Sequence, residues 1–181
     1  LIFICMSGGA MSFNWEVENL PVIIQAWYGG QSTGTALADI LFGRYNPSGK
    51  LPVTFYHSDA DLPPIKDYSM SNRTYRYFGG DVLYPFGYGL SYTTFEIAAP
   101  VMSKKEYKAG EPVVLTTSVT NTGQYTGKET VQLYLQDVVS SVTRPVIELC
   151  GIRQVELAPG ETRKIEFTLS CLLYTSPSPR D

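Results

Sequence analysis

The sequence is poor in histidine and cysteine. Of its 181 residues, one is histidine and three are cysteines. Cys5, Cys150 and Cys171 are odd in number and lack C-x-x-C spacing, so neither a disulfide framework nor a zinc site is expected. Any Ser-His or Cys-His nucleophile would have to use His57, and no serine or cysteine lies in a recognisable nucleophile elbow. The sequence therefore predicts no metal site, and His57 is interpreted as an exposed residue at a strand end.

Positive charge and long apolar runs are also scarce. The 14 Lys+Arg residues face 17 Asp+Glu residues, which gives a net charge of -3. This balance lacks the basic excess that draws proteins to nucleic acid or anionic lipid, so neither is expected as a partner. The longest uncharged apolar run, residues 1–6, is far shorter than the roughly 20 residues of a membrane helix. It also lacks the basic flank of a signal peptide.

The chain does contain enough apolar material for two small domains. Apolar residues make up 44% and charged residues 17% of the sequence, as in globular proteins. Because Leu1 already lies in what resembles a buried strand, we expect a fragment whose start is missing. Localisation stays open for the same reason, with the periplasm or the cell exterior expected for a bacterial source.

Strand and helix patterns alternate in the first third of the chain. Residues 1–6 and 22–28 are apolar runs that end near Gly-Gly pairs, as expected of parallel strands buried on both faces. A helix with one apolar stripe follows and ends at Gly43, and residues 50–56 are predicted as a further strand. These patterns predict an α/β layer over residues 1–57.

A long aromatic segment, residues 58–95, lacks regular periodicity. Segments of this length are usually functional loops or disordered linkers, and the density of aromatic residues argues against disorder. From residue 96 to residue 170 the apolar period is two, with turn signals at the spacing of a small fibronectin-like β-sandwich. The predicted inward faces are Val113, Leu115, Thr117 and Val119; Val131, Leu133 and Leu135; and Ile165, Phe167 and Leu169.

The last eleven residues, 171–181, break this pattern with the string CLLYTSPSPRD. The string resembles the translation of a sequencing adapter, so it is expected to be a read-through that replaces real structure. A natural Ser/Pro tail is the alternative. Because only about 75 residues then remain where immunoglobulin-like sandwiches take about 100, the sandwich is expected to be truncated.

Four residues of the aromatic segment are candidates for sugar binding: Arg73, Tyr75, Arg76 and Tyr77. Aromatic rings can stack on the C–H face of a sugar, and arginines offer forked donors to its hydroxyls. A packed strap between domains explains the same residues equally well. The loop GGQSTG at residues 29–34 lies where a phosphate loop would lie, but it lacks the spacing of one and is interpreted as a tight turn.

Carboxylates are plentiful, but their spacing selects no catalytic pair. A glycosidase needs two carboxyl groups about 5 to 10 Å apart across the sugar. Asp39 is predicted on the polar face of a helix, and the remaining carboxylates, Asp67 and Asp81 among them, are interpreted as solvated loop residues.

Several motifs in order resemble glycoside hydrolase family 3. AWYGGQ at 26–31, ADILFG at 38–43 and NPSGKLP at 46–52 are similar to the end of that family's α/β-sandwich domain. RTYRYF at 73–78 and YPFGYGLSYTTF at 84–95 look like its connecting segment. The motifs similar to the family's fibronectin type III-like domain are VQLY at 131–134, Arg144-Pro145 and LAPGE at 157–161.

The resemblance implies a retaining exo-β-glycosidase of the β-glucosidase or β-xylosidase type, acting on a β-linked oligosaccharide or glycoside without a cofactor. Family members use an aspartate nucleophile and a glutamate acid/base that both lie upstream of the part seen here. The chain is therefore expected to belong to a glycosidase and to be inactive by itself.

A rival interpretation is a stand-alone fibronectin-like module that binds carbohydrate or mediates adhesion. The α/β motifs argue against it, because a free-standing module would not carry half of a catalytic domain. Preference for glucosides or xylosides, and the oligomeric state, are left open.

Overall fold

The computed structural model describes residues 1–108, 110–138 and 144–170. The predictions for residues 171–181 concern residues outside this described part. The chain divides into a first unit, residues 1–45 and 49–90, and a second unit, residues 46–48 and the described residues from Ser91 on. The helices and strands in chain order are β1 (Ile2–Cys5), α1 (Asn14–Asn19), β2 (Val22–Gln25), α2 (Thr33–Leu41), α3 (Thr74–Tyr77), β3 (Phe95–Ile97), β4 (Val101–Met102), β5 (Val113–Asn121), β6 (Gly127–Leu135), β7 (Glu148–Leu157) and β8 (Thr162–Leu169).

The first unit contains the predicted parallel strand pair. β1 and β2 run parallel, and Ile2 pairs with Val22 while Cys5 pairs with Gln25. α2 follows β2 after one turn of 3₁₀-helix, Gly30–Ser32, and Gly43 adopts a positive φ of 72° just beyond the helix. Glycine is favoured there because a side chain is strained in this conformation. The α/β character predicted for this part of the chain is confirmed.

The strand predicted over residues 50–56 is wrong. Only one isolated antiparallel bridge forms there, between Phe55 and Tyr84. The amide of Phe55 donates to the Tyr84 carbonyl at 2.9 Å, and the Tyr84 amide donates back at 3.2 Å. The stretch is extended and apolar, which produced the strand pattern, but its partner is an irregular segment rather than another strand.

A small aromatic core holds the first unit together. Phe55 is 1% exposed and packs with the buried side chains of Phe13 and Cys5. The Phe55 ring lies 5.8 Å from the Phe13 ring and 6.2 Å from the Trp27 ring, centroid to centroid. Aromatic pairs at such separations add about 1 kcal/mol beyond their buried area. Cys5 is 7% exposed and contributes to this core as a small apolar residue.

The second unit consists of two antiparallel sheets. β5 pairs with β8 along one edge and with β3 and β4 along the other, while β6 pairs with β7. One core lies between the sheets and draws on β5 to β8: Val119, Val131, Val155, Leu157, Ile165 and Phe167. Alternate residues of each strand are thus buried, and the predicted fibronectin-like sandwich is confirmed. In the described part of the chain, β7 is the only strand paired with β6.

Asn121, at the end of β5, is a fully buried polar residue with four hydrogen bonds. Its Oδ1 accepts from Thr93 Oγ1 at 2.7 Å and from the Gly123 amide at 3.1 Å. Its Nδ2 donates to the carbonyls of Tyr125 and Leu157 at 2.8 and 2.9 Å. One side chain therefore joins the start of the unit, the β5–β6 turn and the end of β7.

Asn46 has a similar role within the second unit. Its Nδ2 donates to the Thr126 carbonyl at 3.0 Å, and its Oδ1 accepts from Ser91 Oγ and from the Tyr92 amide, both at 2.8 Å. Residues 46–48 belong to this unit although the chain on both sides of them belongs to the first.

No helix in the described residues is long and apolar enough to cross a bilayer.

We predict that Asn121→Ala lowers the free energy of unfolding of the second unit by about 3 kcal/mol, because it leaves buried donors and acceptors unpaired. Urea unfolding followed by far-UV circular dichroism measures the effect. Both tryptophans, Trp15 and Trp27, lie in the first unit, so their fluorescence monitors that unit separately. Thr122→Ala, on the same turn but exposed, is the matched control. An unchanged midpoint for Asn121→Ala would contradict the assignment.

Candidate functional site

The aromatic segment is closed at its base by backbone pairing within the first unit. Beyond the Phe55–Tyr84 bridge, the Leu51 amide donates to the Tyr88 carbonyl and the Gly87 amide donates to the Leu51 carbonyl, both at 2.8 Å. Lys50 Nζ donates to the Gly89 carbonyl at 2.9 Å. The chain from residue 56 to residue 83 is therefore a large loop whose two ends are held together.

Arg73, one of the candidate sugar-binding residues, fastens a smaller loop inside this segment. One guanidinium nitrogen lies 2.9 Å from the Pro64 carbonyl oxygen, 2.8 Å from that of Asp67 and 3.4 Å from that of Pro63. The Asp67 carboxylate accepts from the Ser69 amide at 2.9 Å, and the bonds from Ser69 lower its pKa. This guanidinium nitrogen of Arg73 thus donates within the loop.

The loop that Arg73 fastens presents apolar side chains to solvent. Tyr68 is 94% and Ile65 is 89% exposed. Asn72 and Thr74, which flank Arg73 in the chain, have positive φ angles of 56° and 53° although neither is glycine. Such conformations cost about 1 kcal/mol or more and persist only where the surroundings enforce them. The loop is therefore held in one shape by its own contacts.

Aromatic rings pack against one another around α3. The Tyr75 ring stacks on the Phe86 ring at 4.2 Å with an interplanar angle of 16°, and Phe78 meets Tyr56 edge-on at 4.9 Å. Burial raises the pKa of Tyr56, and burial followed by the neighbouring Tyr88 raises that of Tyr84. These tyrosines are components of a packed layer.

The structure gathers the four candidate residues on and beside α3, but their contacts differ. Arg73 and Tyr75 contact the segment itself, through carbonyls and through Phe86. Arg76 and Tyr77 are half-buried on the same short helix. The packing alternative thus accounts for Arg73 and Tyr75, while a sugar-binding role for the four residues stays a prediction.

Carboxylates of the first unit serve local structure. Asp39 pairs with Arg44 at 3.4 Å. Asp61 forms a capping box with Ser58 at the start of a 3₁₀ turn, Asp59–Asp61. Asp67 binds the Ser69 amide, as described above. Each of these three carboxylates thus has a partner close to it in the chain.

His57 joins three segments of the first unit. Its Nδ1 lies 3.0 Å from Asn14 Oδ1, its Nε2 lies 3.4 Å from Asp81 Oδ2, and its carbonyl accepts from Asn14 Nδ2 at 2.7 Å. The residue is partly exposed, as predicted, but it follows an irregular stretch rather than a strand. Within the described residues no cluster of histidine, cysteine or carboxylates could hold a metal ion.

The loop at residues 29–34 forms a compact turn at the start of α2. Thr33 Oγ1 donates to the Gly30 carbonyl at 2.8 Å, and Gly30 adopts a φ of 67°. A Cβ at Gly29 would lie 2.3 Å from Thr33 Oγ1, so the turn closes on itself. This is the tight strand-to-helix turn that the sequence indicates.

Two family models match the chain. The glycosyl hydrolase family 3 C-terminal domain matches residues 1–92, and the fibronectin type III-like domain matches residues 129–171. The chain belongs to glycoside hydrolase family 3.

Individual relatives agree with this assignment. A xylan 1,4-β-xylosidase from Xylanibacter ruminicola is 46% identical over 170 residues, which are 94% of this chain and 19% of the relative. A periplasmic β-glucosidase from Salmonella typhimurium is 38% identical over 93% of this chain and 24% of its own length. The structure of β-glucosidase 3B from Thermotoga neapolitana in complex with glucose superposes with a TM-score of 0.84 at 33% identity, covering 93% of this chain and 26% of the other. This chain thus spans about a fifth to a quarter of the length of these relatives.

Sequence reasoning missed two features of the site. Trp27, two residues beyond the end of β2, is a bulky residue with a φ of 53°, and the exposed ring of Tyr28 follows it. The only available signal was their position at the end of an apolar strand, before Gly29-Gly30. The internal bonds of Arg73 left no signal, because the carbonyls that they use carry no side-chain identity.

We predict that Arg73→Ala loosens the loop over residues 63–70 and speeds tryptic cleavage after the exposed Lys66 by about tenfold. The loss of hydrogen bonds from a charged group costs about 1.5–3 kcal/mol, and cleavage of a transiently open loop follows the opening equilibrium. Timed digestion analysed by mass spectrometry measures the rate.

Arg44→Ala is the matched control, because this exposed arginine pairs with the half-buried carboxylate of Asp39 outside the loop. Equal cleavage rates in the Arg73 variant and in the unmodified chain would contradict the fastening role of Arg73.

Proposed function

We propose that this chain is the C-terminal part of a retaining exo-β-glycosidase that removes terminal, non-reducing β-D-glucosyl or β-D-xylosyl residues from glycosides and β-linked oligosaccharides. The observation that carries the proposal is the 46% identity to a β-xylosidase across 94% of the chain. Relatives named β-glucosidase match over nearly the same span, which supports a substrate class that includes both sugars.

The catalytic carboxylates of the proposed enzyme lie on a part of the polypeptide outside this chain. A retaining mechanism needs a nucleophile and an acid/base about 5 Å apart. The carboxylates of Asp39, Asp61 and Asp67 are instead engaged by an arginine, by a turn and by a serine. The small share of each relative that the chain covers supports the same view. For a bacterial source, the proposal includes export to the periplasm or beyond.

The proposed role of the aromatic segment is to shape the rim of the sugar site. Arg73 fixes the loop before α3, and the Tyr75–Phe86 stack fixes the orientation of α3. A short helix supported on both sides can hold Arg76 and Tyr77 in place without a large loss of side-chain entropy on binding, and such pre-organisation favours affinity.

The isolated chain is expected to hydrolyse neither nitrophenyl β-glucoside nor nitrophenyl β-xyloside, whereas the complete polypeptide encoded by the gene that contains it hydrolyses at least one of them. Release of nitrophenol measures both activities. Turnover by the isolated chain that disappears in Asp39→Ala or Asp67→Ala would contradict the placement of the catalytic groups. Failure of the complete polypeptide on all β-glycosides would contradict the proposed function.

In the complete polypeptide, Arg76→Ala and Tyr77→Ala are each expected to raise KM about tenfold, as the loss of a hydrogen bond to a charged group or of a ring contact would. The thermal midpoint should shift far less. Steady-state kinetics and differential scanning calorimetry measure the two effects.

Arg163→Ala and Tyr125→Ala, at exposed positions of the second unit, are the matched controls. An unchanged KM together with a large loss of stability in the Arg76 and Tyr77 variants would favour the packing role instead.

A further inference from the structure

The carboxyl ends of β1 and β2 meet at one edge of the parallel pair. β1 ends at Cys5, which pairs with Gln25 at the end of β2. Gln25 Nε2 donates to Ser7 Oγ at 3.1 Å and thereby joins the end of β2 to the segment that follows β1. Ligands of open parallel sheets bind outside the carboxyl ends of the strands. A ligand-binding side chain in the first unit is therefore expected at this edge.

The backbone of Trp27 is strained at this edge. A φ of 53° in a bulky residue costs of the order of 1–3 kcal/mol. The packing of the indole ring against Phe55, which lies in the core, offsets this cost. Residues held in strained conformations concentrate at functional sites. The end of β2 and the adjacent Tyr28 are therefore candidates for a functional role.

Tyr28, the residue after Trp27, has a ring that is accessible to solvent. It is 77% exposed, although it lies against the backbone of Gly8 beyond β1. A Cβ at Gly8 would lie 2.7 Å from Tyr28 Cε2 and 3.3 Å from Tyr28 Cζ. A side chain at position 8 would therefore displace the Tyr28 ring from this position. The two strand ends thus position an aromatic ring and leave most of it open to solvent.

The charge around this edge favours a neutral ligand. The first lysine or arginine of the sequence is Arg44, so residues 1–43 carry no basic side chain. Phosphates and other anions are normally bound with the help of such groups. The two side chains that hydrogen-bond to each other at this edge, those of Ser7 and Gln25, are uncharged.

We propose that Tyr28 is a sugar-contacting residue, whose ring stacks on the C–H face of a pyranose in a β-linked saccharide. This inference rests on the proposed function and adds one residue to its binding site. The aromatic face of Tyr28 matches the apolar C–H face of a pyranose, and this contact requires no charge.

The test uses the complete polypeptide with cellobiose and xylobiose as substrates. Tyr28→Ala should raise KM for the disaccharide that is hydrolysed by about tenfold, the effect of losing roughly 1.4 kcal/mol of binding. Tyr28→Phe keeps the ring and should stay within about twofold of the unmodified enzyme, since stacking does not need the hydroxyl. Tyr125→Ala, at an exposed tyrosine of the second unit, is the control. The thermal midpoint is measured for each variant.

An unchanged KM in Tyr28→Ala overturns the inference while the proposed function stands. Equal increases in Tyr28→Ala and Tyr28→Phe overturn the stacking role. A large drop in the thermal midpoint of Tyr28→Ala with no change in KM assigns the ring to packing and also overturns it. If the unmodified polypeptide hydrolyses no β-glycoside, the proposed function fails first, and that result is visible before any variant is made.

Discussion

The first unit depends on one buried ring, that of Phe55. Its backbone forms the bridge to Tyr84, which closes the aromatic segment, and its side chain packs with Phe13 and Trp27. Ring packing in the core and loop closure are therefore properties of the same residue. Because fixing a loop costs conformational entropy, a long segment of irregular chain needs such a closure to keep a defined shape.

The two proposed sugar-contacting surfaces both follow from this core. On one side, the Phe55–Tyr84 bridge sets the base from which the segment carrying Arg76 and Tyr77 extends. On the other, contact with Phe55 stabilises the strained backbone of Trp27 and so determines where Tyr28 lies. Sites built on supported elements hold their side chains more accurately than free loops do. The second unit has its own support in Asn121 and Asn46, whose side chains each hydrogen-bond to backbone groups of separate segments.

The fold could be predicted from the sequence where apolar residues follow a regular period along a strand or helix. Alternation at Ile165, Phe167 and Leu169 correctly placed one face of β8 in the core. Residues 50–56 misled the same reasoning, because an extended apolar stretch has the strand pattern whether or not a strand lies beside it. The bonds of Arg73 and Asn46 join positions between 6 and 80 residues apart and use backbone groups, which no sequence pattern records. The resemblance to a family supplied the function, which periodicity could not.

The central claim is that Phe55 holds the half-buried ring of Trp27 against the core and thereby orients the strand end. Replacing the exposed Trp15 by Phe leaves Trp27 as the single tryptophan, whose emission and acrylamide quenching then report that core directly. The account predicts blue-shifted, poorly quenched emission in this variant, and a red shift with stronger quenching when Phe55→Ala is added. Solvent-like emission in the Trp15→Phe chain, or identical spectra with and without Phe55, would contradict it.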